Sequence, residues 1–256
     1  MVQRNFDSMK TSKTISRSEG ISLPETTPSW LFSPKSKLAD LIQANYKLLF
    51  VLRRMGIALG FGEINVEEMC HRYGISPDFF LLICRIHSSE NPLLPADWIQ
   101  RLQINELIDY LHRSHEYYSR QIPVLRNKIH QMAASCEPIH LKILERFLDD
   151  YQQETNHHFA YEEETVFPYI HQLVEGRSGD GYSIEQFERN HSNIEEKLND
   201  LQNIILKYLP ENCQTDLRDE VLFDIFLLEE DLGKHTLLEN HLLIPYVVQL
   251  ENHENQ

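Results

Sequence analysis

Residues 157–170 read HHFAYEEETVFPYI, and residues 234–246 read KHTLLENHLLIPY. Each stretch has a histidine, a glutamate four residues later and a proline beyond it: His158, Glu162 and Pro168 in the first, and His235, Glu239 and Pro245 in the second. Apolar residues recur around them at intervals of three and four, which is typical of a helix with one buried face. Residues four apart in a helix lie on one face about 6 Å apart along the axis. Each stretch therefore predicts a helix whose imidazole and carboxylate point to one level of a protein core.

Two further periodic stretches each contribute one histidine, His115 and His191, to a similar face. His158 follows His115 by 43 residues, and His235 follows His191 by 44 residues. The same helical hairpin therefore occurs twice in the chain, with matching polar residues at matching heights.

The periodicity predicts an all-α fold, with an antiparallel up-down-up-down four-helix bundle as its main part. The scarcity of glycine, 9 residues in 256, agrees with long helices. Short polar breaks separate the four stretches: Cys136-Glu137-Pro138, Gly176 to Gly181, and Pro210 to Gln214.

A small helical domain is expected ahead of the bundle. Its first amphipathic helix starts near Lys37 and ends at Gly56, and N-cap patterns at Asn65 and Ser76 predict two short helices near 66–73 and 77–87. The predicted division is a disordered lead-in over 1–34, a helical domain over 35–90 and the bundle over 100–251. The segment Ser89 to Ala96, with Pro92 and Pro95, is interpreted as a linker.

Composition excludes several functions. A net charge of -15 disfavours binding to nucleic acid, and the second short helix has few side chains able to read bases, so docking or dimer packing is favoured over a helix-turn-helix. No stretch approaches the roughly 20 apolar residues of a membrane span. The four scattered cysteines show no CxxC pair and are interpreted as reduced thiols of a cytoplasmic protein.

Six polar groups inside an apolar bundle would cost several kcal/mol if they had no partner. A pair of cations satisfies them all, and a mixture of imidazoles and carboxylates favours iron. A tetrahedral zinc ion would use four ligands and leave two groups over, and manganese remains a substitute for iron.

The segments HHFAYEEETVFPYI, ERNHSNI and KHTLLENHLLIPY resemble the HHE signature of hemerythrin-like domains over roughly residues 104–250. The segment SHEYYSRQIPVL and the N-terminal region are more similar to one branch of that family, the di-iron proteins of iron-sulfur cluster repair. The resemblance implies two non-haem iron ions, with room for an oxo bridge and one exogenous ligand. It assigns the protein ligands residue by residue to His115, His158, Glu162, His191, His235 and Glu239.

The chain departs from the repair branch at two places. The branch's fifth histidine, just beyond the first bundle helix, corresponds to Cys136 here, so His112 is the candidate for a seventh ligand and His140 the next. The branch also has two adjacent cysteines after Gly-Ile, whereas this chain continues Gly56-Ile57-Ala58-Leu59.

The expected function is a response to nitrosative or oxidative stress, including iron-sulfur cluster repair, through O2, NO or peroxide at the iron pair. The alternatives are a di-iron sensor or regulator, and storage of iron or oxygen. Iron-sulfur proteins are the macromolecular partners that the resemblance implies, a homodimer is left open, and neither enzymatic activity nor catalytic residues are assigned.

Overall fold

The computed structural model describes residues 31–89, 92, 94, 97–177, 181–190, 194–211, 213 and 215–254. Within these ranges the chain is helical and contains no β-strand. The helices are α1 (Leu38–Ala44), α2 (Leu48–Arg54), α3 (Val66–Tyr73), α4 (Pro77–Ser88), α5 (Trp98–Arg101), α6 (Ile104–Ala133), α7 (Pro138–Tyr161), α8 (Phe167–Val174), α9 (Ile184–Asn190), α10 (Glu196–Asn203), α11 (Thr215–Leu238) and α12 (Ile244–Glu254).

The main body is a bundle of four long rods. The first rod is α6, the second is α7 continued by α8, the third is α9 and α10, and the fourth is α11 continued by α12. The α6 rod packs against α7 and α11, and α10 packs against the same two helices, so neighbours in sequence are neighbours in space. The predicted all-α, hemerythrin-like bundle is confirmed.

Within the described ranges the rods contain three π-helical turns, and two of them begin at the glutamates singled out in the sequence. One spans Glu162–Val166 and the other Glu239–Leu243, and in each the glutamate carbonyl accepts from the amide five residues later. The third, Ile204–Tyr208, ends the third rod. A proline, Pro168 or Pro245, follows each of the first two turns; because proline has no amide hydrogen, a regular helix could not continue its bonding there.

The N-terminal helices begin where the capping patterns predict. Asn65 and Glu68 form a reciprocal capping box before α3, and Ser76 accepts from Phe79 before α4. The single first helix expected between Lys37 and Gly56 is instead two helices, α1 and α2. Asn45 causes the break, because its side chain accepts from the Lys47 amide and donates to Ser88, in competition with helical bonding.

The hydrophobic core consists of two clusters. The first joins α1 to α4 with the adjoining half of the bundle, and it includes Leu111, Val166 and Leu238. The second fills the opposite half, from Tyr117 on α6 to Leu232 on α11. On three rods the predicted polar residues lie between the two clusters, so they form one polar layer across the bundle.

The first cluster is continuous across the predicted boundary between the N-terminal helices and the bundle. That the N-terminal helices and the bundle are separate domains, divided at residues 90–100, therefore stays a prediction. Most of the predicted lead-in lies outside the described residues; of its last four residues, Leu31 and Phe32 are buried in this cluster.

A disulfide joins Cys136, in the connection after α6, to Cys213, in the connection before α11. The expectation of four reduced thiols is wrong for this pair, because the fold brings two residues 77 apart in sequence to a Cα separation of 5.1 Å. Cys70 and Cys84 are free and buried. Burial raises the pKa of the Cys70 thiol to about 12.

Among the described helices, none combines the length and the apolar character required to cross a membrane.

Candidate metal centre

Four buried side chains meet in the polar layer: His115 from α6, Glu162 from the first π turn, His235 from α11 and Glu239 from the second π turn. One ligand atom from each lies within 4.8 Å of the others. Both glutamates are fully buried. Two carboxylates and two imidazoles held so close inside an apolar bundle are a donor set able to hold a metal ion.

The side chains of the layer lie within contact distance of one another. His158 Nε2 lies 2.8 Å from Glu162 Oε1, and His115 Nε2 lies 3.0 Å from Glu162 Oε2. These distances are short, yet neither Glu162 oxygen has a partner with hydrogen-bond geometry. A hydrogen bond requires a favourable angle as well as a short distance, so these contacts leave both Glu162 oxygens available to a metal ion.

The histidines of the two hairpins also face each other. His115 Nε2 and His235 Nε2 are 3.2 Å apart, and His235 Nε2 is 2.9 Å from Glu239 Oε1. Because both rings present Nε2 to each other, only one of the two nitrogens can donate across this gap while the other accepts. Cations between these atoms would satisfy both nitrogens and the carboxylates, so the residues present fit a metal centre.

Aromatic rings and an outer carboxylate hold His115 in place. Phe159 stacks on its ring at a centroid distance of 4.2 Å, and Phe167 is nearly parallel to it at 5.8 Å. Its Nδ1 lies 2.7 Å from Glu163 Oε1. A carboxylate at Nδ1 directs Nε2 toward the polar layer, as in the carboxylate–histidine–metal arrangements of metalloproteins.

The pKa values of His115 and Glu163 depend on the charged groups around them. Burial disfavours the charged form of His115, but Glu162, Glu163 and Glu239 outweigh it and raise the pKa of His115 to about 9. Burial raises the pKa of Glu163, but the contacts with His115 and His112 outweigh it and hold that pKa below its ordinary value. Glu163 thus supports the site through its contact with His115.

The remaining sequence candidates have different positions. His158 joins the layer through its contact with Glu162. His191 lies outside the described residues. His112 is about half exposed and directs its Nδ1 to Glu163 at 2.9 Å, so the structure does not bring it into the cluster.

The two reserve candidates are distant from the layer or occupied. His140 is in the first turn of α7, 18 residues before His158, which corresponds to roughly 27 Å along a helix. Cys136 is in the disulfide, so its sulfur is not a thiolate ligand.

Two contributors near the site were not predicted from the sequence. Tyr118 places its ring edge on His235 at a centroid distance of 5.7 Å. Asp231, one helical turn before His235, is buried and paired with Arg54. A charged residue on the apolar face of α11 was a signal that could have indicated such a buried partner.

A sequence model of the family described as the Hemerythrin HHE cation binding domain matches residues 106–247. The match covers more than half of the chain, reaches all four rods and includes every residue of the polar layer. Among curated proteins, none matches the chain. The extent of the family match, together with the buried histidine and glutamate cluster, leads to one conclusion: the chain belongs to the Hemerythrin HHE cation binding domain family, whose members bind metal cations.

Proposed function

We propose that the polar layer holds two non-haem iron ions, which bind O2, NO or peroxide in a response to nitrosative or oxidative stress that includes iron-sulfur cluster repair. The observation that carries the proposal is the buried convergence of His115, Glu162, His235 and Glu239. In this proposal His158 and His191 would complete the ligand set, and the carboxylates of Glu162 and Glu239 would help to hold the ions.

The protein's own residues would bind the ions and would exclude bulk water from them. Imidazole nitrogens and carboxylate oxygens together suit iron, and carboxylates can bridge two ions. The two apolar clusters on either side of the layer keep bulk water from it. An iron pair would supply reversible binding of a diatomic molecule or electron transfer to it.

The first test is metal content. We expect about two irons per chain in freshly purified protein, and a large loss in the His158→Ala and His235→Ala variants, since each removes a ligand. His171→Ala is the matched control, because His171 is an exposed histidine of the same rod as His158. Iron is measured by elemental analysis, with optical spectra before and after NO or O2. A full iron complement in both ligand variants would contradict the assignment.

A sensor or regulator is the second candidate, and a specific contact favours it. A buried ion pair between Arg54 and Asp231 joins the N-terminal helices to α11 one turn before His235. Restoration of a damaged iron-sulfur enzyme by the iron-loaded protein would support repair. No restoration, with binding to another protein that depends on NO or O2, would support sensing.

Other parts of the proposal follow from the resemblance alone. Ala58 and Leu59 stand where the repair branch has its two cysteines, so repair would proceed here without those thiols, and storage of iron or oxygen remains a further alternative. Iron-sulfur proteins are the proposed partners and a homodimer the proposed assembly. The cytoplasmic location stays a prediction.

A further inference from the structure

The helix that carries His235 is also the surface on which the N-terminal helices dock. Three polar residues in one turn of α11 reach toward them: Glu230 accepts from Lys47 Nζ at 2.6 Å, Asp231 pairs with Arg54, and Lys234 Nζ donates to the Ser89 carbonyl at 2.8 Å. His235 is the next residue on this helix. A displacement of the N-terminal helices would therefore act on the turn of α11 next to His235.

The Arg54 contact is the buried one of the three. The side chains of Arg54 and Asp231 are each 2% exposed, and the guanidinium spans both carboxylate oxygens. It also donates to Tyr118 Oη at 3.0 Å and to Tyr110 Oη at 3.3 Å. A bidentate pair with two further hydrogen bonds has one geometry, because the planar guanidinium cannot turn without breaking several of them.

The same guanidinium reaches both helices that provide the facing histidines. Tyr118 is on α6, one turn beyond His115, and its hydroxyl donates to the Asp231 carbonyl at 3.1 Å. The Tyr118 ring lies edge-on to His235, with an interplanar angle of 88°. Arg54 thus holds α6 and α11 in register, one turn away from the level where His115 and His235 face each other.

We propose that Arg54 is a positioning residue through which the N-terminal helices set the orientation of His235 in the metal centre. This role rests on the proposed function for its effect on metal binding, but not for its effect on the His235 ring. A partner that moved α2 would change the metal centre without touching a ligand.

The test replaces the buried pair by apolar side chains. Loss of Arg54 alone would leave Asp231 buried without a counter-ion, so the main variant is Arg54→Met with Asp231→Leu, which removes both charges. Arg53→Met is the matched control, because Arg53 is the exposed neighbour on the same helix. Thermal unfolding first establishes that each variant is folded.

Two readouts then follow. In the metal-free protein, NMR of ¹⁵N-labelled histidine reports the His235 ring; we expect its resonances to shift in the double variant and to stay in place in Arg53→Met. Titration with Co²⁺, followed by visible absorption, reports the centre; we expect changed bands and roughly tenfold weaker binding in the double variant alone.

The outcomes distinguish a failure of the positioning role of Arg54 from a failure of the proposed function. A folded double variant with wild-type His235 resonances and wild-type cobalt spectrum and affinity would overturn the positioning role. If the wild-type protein binds neither iron nor cobalt, the proposed function fails, while a shifted His235 signal still supports the role of Arg54. If the double variant does not fold, Arg54→Lys decides, since an ammonium cannot make the bidentate contact: an unshifted His235 signal there would also refute the role.

Discussion

Glu163 is outside the proposed set of metal ligands but supports one of them, His115. It accepts from His115 and His112 at the edge of the polar layer, and it is partly buried. We expect Glu163→Gln to weaken binding of Fe²⁺ or Co²⁺ roughly tenfold, because an amide orients the His115 ring but no longer stabilises its charge distribution. Metal titration of the purified variant measures the effect.

Glu164→Gln is the matched control for this prediction. Glu164 is the next residue of the same π turn, carries the same charge and is exposed. Equal losses of affinity in both variants would point to a general effect of negative charge and would refute a specific role for Glu163.

At the scale of the residue, the sequence predicts where a side chain lies when helical spacing alone determines its position. The four-residue interval between His158 and Glu162, and between His235 and Glu239, placed each pair at one level. The same reasoning favoured His112, one turn before His115, as a seventh ligand. Spacing specifies a face and not a rotamer, and the His112 ring is directed to the carboxylate of Glu163 instead.

At the scale of the helix, replacing either of two glycines by alanine should change the free energy of unfolding, in opposite directions. Gly233 lies within α11, where an added Cβ would meet nothing within 4 Å, so Gly233→Ala should raise the free energy of unfolding by roughly 0.5–1 kcal/mol. Gly74 ends α3 with φ of +68°, so Gly74→Ala should lower it by about 1–2 kcal/mol. Urea denaturation of both variants measures the changes, and effects of the same sign would contradict the two backbone conformations.

Helix starts were predictable and helix interruptions were not. Asn65 and Ser76 cap helices through short-range bonds that the sequence displays directly. The break at Asn45 depends on a bond to Ser88, 43 residues away, which no local pattern indicates. The two prolines show that regular helical bonding must be interrupted nearby, but whether such a helix bends, ends or takes up an extra residue is decided by packing.

The disulfide is a property of the whole molecule, since it closes 77 residues of the bundle into a loop. Chain-entropy arguments give such a crosslink about 4 kcal/mol of stabilisation. We expect Cys136→Ser with Cys213→Ser to lower the free energy of unfolding by up to this amount, as measured by urea denaturation under non-reducing conditions.

Thiol labelling provides an independent check of that pair. Native protein should incorporate no alkylating reagent at neutral pH, because Cys70 and Cys84 are buried and the other two cysteines are joined. Denatured protein should incorporate two groups without a reductant and four with one, as counted by mass spectrometry. Four groups without a reductant would refute the disulfide.

At this scale the bundle and its polar layer were predictable, because both follow from periodicity repeated along the chain. Long-range pairs were not: Arg54 and Asp231 are 177 residues apart, and neither has a neighbour that indicates the other. The disulfide, in contrast, agrees with a spacing that is visible in the sequence. Its separation of 77 residues equals the interval from His158 to His235 and from Glu162 to Glu239.

That shared interval means that the bridge links equivalent points of two related hairpins. In a symmetric pair of identical hairpins, a cysteine at this point would meet its own copy on the twofold axis. The single chain thus keeps the internal symmetry of a dimer while letting its halves diverge: Glu163 in one half corresponds to Asn240 in the other. In the proposed di-iron centre, an anionic side chain in one half and a neutral amide in the other would make the two ion positions unequal, so the ions should fill them in sequence.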